Sequence, residues 1–298
     1  MIETNQVDHD AKALKRLIPG VLRVDGWERF SWLRAGFSTR LGGDSSVYAG
    51  GDAGDLNLGW TTEDSAWAVA GNRRRFVEEI VGKSGVELVT MRQVHGAAVR
   101  RVRLGDELQT ADGKAVVEAD GLMTNEKGML LGVQTADCVP VLLVDTEKRV
   151  VAAFHAGWRG TVARIVEQGV GRMQVDFGSK TKDLRASVGP AIGACCFEVG
   201  EEVLAAFEGE FGYASDLFSG VSGGKGHVDL HEANRRQLLD AGLSGSAISV
   251  LGECTACTRV GDGRRKYFSY RAEKGVTGRM MSVIGVVESV PEVSLGTF

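Results

Sequence analysis

The chain has 298 residues, of which 43% are hydrophobic and 25% charged, with a formal net charge of -4. That balance belongs to a globular protein with ample material for a core, and it offers no basic surface for a nucleic acid or an anionic membrane. No apolar run approaches the roughly 20 residues of a membrane helix, and the polar, acidic start Met1-Ile-Glu-Thr-Asn-Gln6 has no basic-then-apolar leader, so the expected location is the cytoplasm.

Residues 1–28 show weak periodicity and read as an N-terminal arm, with residues 29–298 as one domain. Only 4 prolines stand against 41 glycines, which leaves the turns to glycine. Trp32 to Thr39 predicts a strand, followed by a turn at Gly42-Gly43. Thr62 to Ile80 predicts an amphipathic helix whose apolar positions are Trp67, Val69, Ala70, Phe76, Val77 and Ile80, stopped by Gly82. Strand-like runs follow at Val86 to Met91, Ala97 to Leu104, Met129 to Gln134, Val139 to Val144 and Val150 to Phe154, with a hairpin-like turn Asp145-Thr-Glu-Lys148 between the last two. A helix is expected from near Trp158 towards Met173, and others at Glu201 to Phe207 and His231 to Asp240. Asp229 and Glu232 form a capping box for the last of these. Further strands are expected at Ala247 to Leu251, Lys266 to Ser269 and Met280 to Val287. Strand runs outnumber helices and do not alternate strictly with them, which reads as a single α+β domain of mixed sheets.

Five histidines and five cysteines bound the chemistry. An odd, modest number of thiols argues against a disulfide framework and for reduced side chains used in packing, metal binding or nucleophilic attack. His9 lies in the polar arm, with no role expected. His227 and His231 have helical spacing, but the Asp229 cap starts the helix between them and argues against a metal pair. His95, in Arg92-Gln-Val-His95, Cys138, in Thr135-Ala-Asp-Cys138, and His155, in Phe154-His-Ala-Gly-Trp-Arg-Gly160, each fall at a strand end, where a rigid sheet can present them to a shared pocket. Two imidazoles and a thiolate form a catalytic zinc set with a fourth position open. Their separations match no local metal motif, however, and on the residues alone buried thiols and core histidines account for them as well.

Cys195-Cys196 and Cys254-Thr-Ala-Cys257 could form a four-thiolate site, or the CxxC a redox pair. Neighbouring side chains on a strand face opposite ways, which favours small buried thiols instead. The segment Ala156-Gly-Trp-Arg-Gly-Thr161 reads as a helix start at which free N–H groups and Arg159 favour an anion. With equal weight, glycine makes the turn there and Trp158 fills the core.

These segments closely resemble the YfiH-type family, often named laccase-domain or polyphenol oxidase proteins. The likeness runs from Phe37-Ser-Thr-Arg-Leu-Gly-Gly43 and Asp55-Leu-Asn-Leu-Gly59 through Gln93-Val-His95, Ala119-Asp-Gly121, Thr135-Ala-Asp-Cys138 and Phe154-His-Ala-Gly-Trp-Arg-Gly160. It continues in Gly189-Pro-Ala-Ile-Gly-Ala-Cys-Cys196, Cys254-Thr-Ala-Cys257, Tyr267-Phe-Ser-Tyr-Arg271 and Thr277-Gly-Arg279. One departure is Ala35, where the family usually has histidine.

The resemblance implies a layered sandwich similar to the catalytic domain of cytotoxic necrotizing factor toxins, with zinc held by His95, Cys138 and His155. It implies phosphorolysis of adenosine, inosine, guanosine and methylthioadenosine, with adenosine deamination as a side activity, in a monomer or small homo-oligomer. On this reading Cys138, Asp137 and Arg159 are catalytic. Arg40, Arg159 and Arg271 hold phosphate by bidentate forks, and Asn57 and Gln93 contact the nucleoside. The rivals are a cysteine hydrolase with Cys138 as nucleophile and His155 or His95 as base, a peptidoglycan-editing factor, a protein using zinc only for its fold, and a copper oxidase. The last needs several histidine-rich sites, for which five histidines are too few.

Overall fold

A computed structural model describes residues 20–48, 54–82 and 86–288, so His9 lies outside the described residues. A first sheet has the order β1-β2-β15-β7-β4, built from Val21–Leu22 (β1), Leu33–Ser38 (β2), Met280–Val286 (β15), Met129–Thr135 (β7) and Glu87–Thr90 (β4). A second has the order β14-β10-β8-β9-β6-β5, from Ile248–Val250 (β14), Leu184–Val188 (β10), Val139–Asp145 (β8), Val150–Ala156 (β9), Gly121–Thr124 (β6) and Val99–Arg101 (β5). Both are mixed, since β4–β7, β10–β14 and β5–β6 pair in parallel and their other pairs are antiparallel. A small third sheet holds Glu198–Gly200 (β11), Phe218–Ser222 (β12) and Lys225–Val228 (β13).

The side-chain alternation explains the layers. In β8 and β9, Val141, Leu143, Ala152 and Phe154 pack on helices, while Leu142, Val144, Val151 and Ala153 pack on Leu131, Val133 and Ile284 of the first sheet. In the first sheet, Leu130, Met281 and Val283 point the other way, onto Phe76 and Ile80 of the helix Ala66–Val81 (α1). Both faces of the central strands are therefore covered, which is why their sequences are continuous apolar runs instead of alternating ones. Helices Trp158–Val162 (α2), Ile165–Phe177 (α3) and Leu230–Asp240 (α5) cover the second sheet, while Glu201–Glu210 (α4) packs on the third sheet and on α2. None of the helices among the described residues is long and apolar enough to cross a membrane.

Several expectations need correction. Gly42-Gly43 lies inside a strand, Leu41–Ser45 (β3), and Lys266 to Ser269 forms no strand. Trp67, expected on the apolar face of α1, is 78% exposed. The helix expected from Trp158 breaks into α2 and α3, because Arg164 between them takes a left-handed φ of 55°. Asp229 does cap α5, its carboxylate accepting the N–H of Glu232 at 2.9 Å.

Candidate metal centre and its cleft

His155 lies in β9 opposite Pro140 of β8, His95 lies in the loop between β4 and β5, and Cys138 lies in the tight turn between β7 and β8. The fold brings the three together: their ligand atoms all lie within 4.8 Å of one another. The two imidazole rings stand edge to face, 4.9 Å between centroids at 81°. A tetrahedral zinc with two nitrogens and one sulphur has ligand edges of about 3.3–3.6 Å, so a modest closing of the three side chains suits an ion. His95 is exposed, Cys138 half-buried and His155 buried, so the cluster opens to solvent on one side. Gly157 leaves room for the cluster, since a Cβ on it would sit 3.1 Å from the Cys138 sulphur and 3.2 Å from His95 Cδ2 and press on both.

One fully buried carboxylate, Asp120, positions both histidines. Its Oδ1 accepts His155 Nδ1 at 2.8 Å and the His95 N–H at 3.0 Å, and its Oδ2 accepts the N–H groups of Gly96 at 2.7 Å and Val94 at 3.3 Å. A carboxylate on Nδ1 puts the proton there and leaves Nε2 for the cluster. The same bonds hold His95 in a left-handed conformation with φ 60°, which costs a non-glycine residue about 1 kcal/mol or more. Asp137 is also left-handed, φ 93°, and its carboxylate accepts the Thr255 hydroxyl at 2.6 Å and the Arg271 N–H at 2.7 Å. That anchored turn aims Cys138. Asp120 carried no role in the sequence reading beyond its place in Ala119-Asp-Gly121, because nothing local marks a carboxylate that acts on residues 25 and 35 positions away.

The electrostatics make a coupled pair. Burial pushes the Cys138 thiol up, but the His155 imidazolium beside it, with help from His95, more than offsets this and holds it at about 6. Burial pulls His155 down, and the Cys138 thiolate together with Asp120 raises it to about 9. Asp120 stays below the ordinary carboxylate range because bonds from His155 and the Gly96 N–H outweigh its burial.

The cluster opens into a cleft of about 590 Å³ whose walls include Gln93, Trp158, Arg159, Tyr270, Arg271 and Arg279. Arg159 lies over the Trp158 ring at 4.1 Å and is 3.6 Å from Glu202. Its helix, α2, has five residues, too short for an appreciable dipole, so any anion there is held by side chains. Arg271 is braced by the Glu198 carbonyl at 2.8 Å and the Phe197 ring at 5.3 Å. Gln93 is locked to β7, donating to the Gln134 carbonyl and accepting its N–H, both at 2.7 Å.

Arg40 and Asn57, expected at the substrate, do not line this cleft. Arg40 is buried, bonded to Asp55 at 2.6 Å and Glu273 at 3.0 Å, and lies over Phe268. Asn57 is fully buried, and its side-chain oxygen accepts the Arg279 N–H at 2.9 Å. Its influence therefore passes through Arg279, a cleft residue that the Thr277-Gly-Arg279 motif contained but that carried no assigned role. Ala35 packs between the sheets, away from the cluster. His227 and His231 join no group of three or more metal-ligating side chains among the described residues.

The sequence profile of the family described as multi-copper polyphenol oxidoreductase laccase matches residues 34–287. The chain belongs to that family. It is 37% identical to the purine nucleoside phosphorylase YlmD of Geobacillus stearothermophilus over 87% of this chain and 94% of that one. It is 36% identical to the adenosine deaminase RL5 of an unknown prokaryotic organism over 78% and 86%. Among solved structures, the hypothetical protein YfiH of Bacillus licheniformis superimposes with a TM-score of 0.80 at 32% identity, covering 90% of this chain and 97% of that one.

Proposed function

We propose that this protein is a zinc-dependent purine nucleoside phosphorylase, acting on adenosine, inosine, guanosine and methylthioadenosine, with adenosine deamination as a side reaction. The observation that carries the reading is a three-ligand cluster with an open side, set in a cleft of nucleoside size that aromatic side chains and guanidinium groups also line. Relatives named for phosphorolysis and for deamination support it.

His95, Cys138 and His155 would hold the zinc, which would supply Lewis acidity and a lowered pKa, about 7, for water. The chain's own residues do the rest. Trp158 and Tyr270 offer planar faces to a purine. Arg159, Arg271 and Arg279 line the same cleft, and we assign them to the phosphate, in place of the set that included Arg40. With both carboxylate oxygens accepting hydrogen bonds from Thr255 and Arg271, Asp137 is assigned to orienting the Cys138 turn. Zinc suits this set better than copper because the cluster faces the cleft and offers two imidazoles, not the several histidine-rich sites of a multi-copper oxidase.

The test is incubation with a nucleoside panel, with and without phosphate, followed by chromatography. Release of free base that depends on phosphate and is lost on chelation is expected. Absence of phosphate-dependent base from every nucleoside would sink the reading.

A second reading rests on the Cys138–His155–Asp120 arrangement, in which a depressed thiol faces an imidazole oriented by a carboxylate. Amide hydrolysis that resists chelators but is abolished by alkylation would favour that thiol chemistry over zinc.

A further inference from the structure

The other four cysteines of the chain are also brought together. The sulphurs of Cys195, Cys196, Cys254 and Cys257 all lie within 4.8 Å of one another, and Cys195 and Cys257 are 3.7 Å apart. A tetrahedral zinc with four bonds of about 2.3 Å has sulphur–sulphur edges of about 3.8 Å, so the spacing is close to that of a closed four-thiolate site.

The objection that vicinal cysteines face opposite ways holds for strands, and Cys195-Cys196 is not on one. The N–H groups of Cys196 and Phe197 both donate to the Gly193 carbonyl, at 2.9 and 3.0 Å, winding residues 194–196 into a turn. In a helical turn adjacent side chains are about 100° apart, and both can reach one point.

The Cys254 sulphur accepts the Gly193 N–H at 3.2 Å and is also approached by the N–H groups of Ala256 and Cys257. Backbone donors wrapped around a CxxC sulphur favour its thiolate. Four sulphurs this close are the arrangement a soft cation gathers.

We propose that Cys195, Cys196, Cys254 and Cys257 bind a second, structural zinc ion, separate from the one at His95, Cys138 and His155. A closed set of four soft thiolates leaves no open position, so this ion does not act on substrate. Its effect is on the cleft wall. Thr255, inside the CxxC, donates to Asp137, and the Ile192 N–H donates to the Asp137 carbonyl at 2.9 Å. Cross-linking the two loops therefore clamps the turn that aims Cys138.

The experiment compares metal content and intact mass of the wild type, Cys138→Ala and the Cys195→Ser/Cys257→Ser double variant, all purified under reductant without added metal. Two zinc equivalents are expected in the wild type and one in each variant. Loading Cys138→Ala with cobalt(II) reads the second site directly, since its four remaining cysteines should give a strong thiolate-to-cobalt charge-transfer band even if the double variant fails to fold. A cobalt spectrum lacking that band, iron in place of zinc, or an intact mass short of the hydrogens lost in disulfide formation would overturn the proposal. Loss of zinc in Cys138→Ala alone, with none lost in the double variant, would overturn it while leaving the first centre standing.

Discussion

Asp120→Asn tests how the first centre is held. The substitution keeps size and shape but replaces one acceptor oxygen with a donor. If the amide oxygen stays on His155 and His95, the new NH2 faces the N–H groups of Gly96 and Val94; if it flips, the NH2 faces His155 Nδ1 and forces the tautomer that blocks Nε2. Losing such a partner weakens metal affinity by about 10- to 100-fold, or about 1.4–2.7 kcal/mol. The apo protein loses about 1 kcal/mol above pH 9, the low end for an unpaired donor because water reaches Val94 and His95, and more at neutral pH, where the change also strands the buried His155 imidazolium.

The affinity must be measured above pH 9. There His155, raised to about 9 in the wild type by the Cys138 thiolate and Asp120 against its burial, no longer carries a competing proton. At neutral pH the variant would lower that proton's affinity and hide part of the loss. Competition against a chromophoric chelator gives the number. Equal affinity for wild type and Asp120→Asn above pH 9, within twofold, would refute the positioning role.

Metal binding should also displace protons in a defined pattern. Cys138 is a thiolate above about 6 and His155 keeps its proton to about 9, so near pH 7.5 at least the His155 proton leaves per ion and affinity rises by about tenfold or more per pH unit up to about 9. Calorimetry in buffers of different ionisation enthalpy checks this, and proton-neutral uptake at pH 7.5 would contradict it. Arg40→Met should cost about 3–5 kcal/mol by stranding Asp55 and Glu273, without raising KM for phosphate. Arg279→Met should raise that KM instead; denaturant melts and initial rates separate the two effects. Gly169→Ala should destabilise by about 1–3 kcal/mol, helix propensity notwithstanding, since its Cβ would lie 2.3 Å from the buried Phe154 ring. A melt at or above the wild-type value would show that Phe154 can yield.

What was legible in the sequence follows from the range over which each residue acts. The apolar runs of β7, β8, β9 and β15 and the Asp229 cap of α5 were visible because strand burial and capping are set by neighbours. The short strands β6 and β10 were not, because each is fixed by partners elsewhere in the chain: β6 by β9, and β10 by β8 and β14. The metal trio was readable as chemistry but not as a place: His95, Cys138 and His155 became a site through the register of β8 and β9 and through Asp120.

The four remaining cysteines show the opposite case. A four-thiolate site was considered for them and set aside on a strand rule, and a turn at residues 194–196 removes that rule's premise. The two clusters are also not independent. Asp137 takes its hydrogen bonds from Thr255, between two cysteines of the second cluster, and from Arg271 in the cleft, and it precedes Cys138 of the first. A change in the thiolate loops therefore reaches the first centre through one side chain, and metal affinity at His95, Cys138 and His155 is the quantity that should register it.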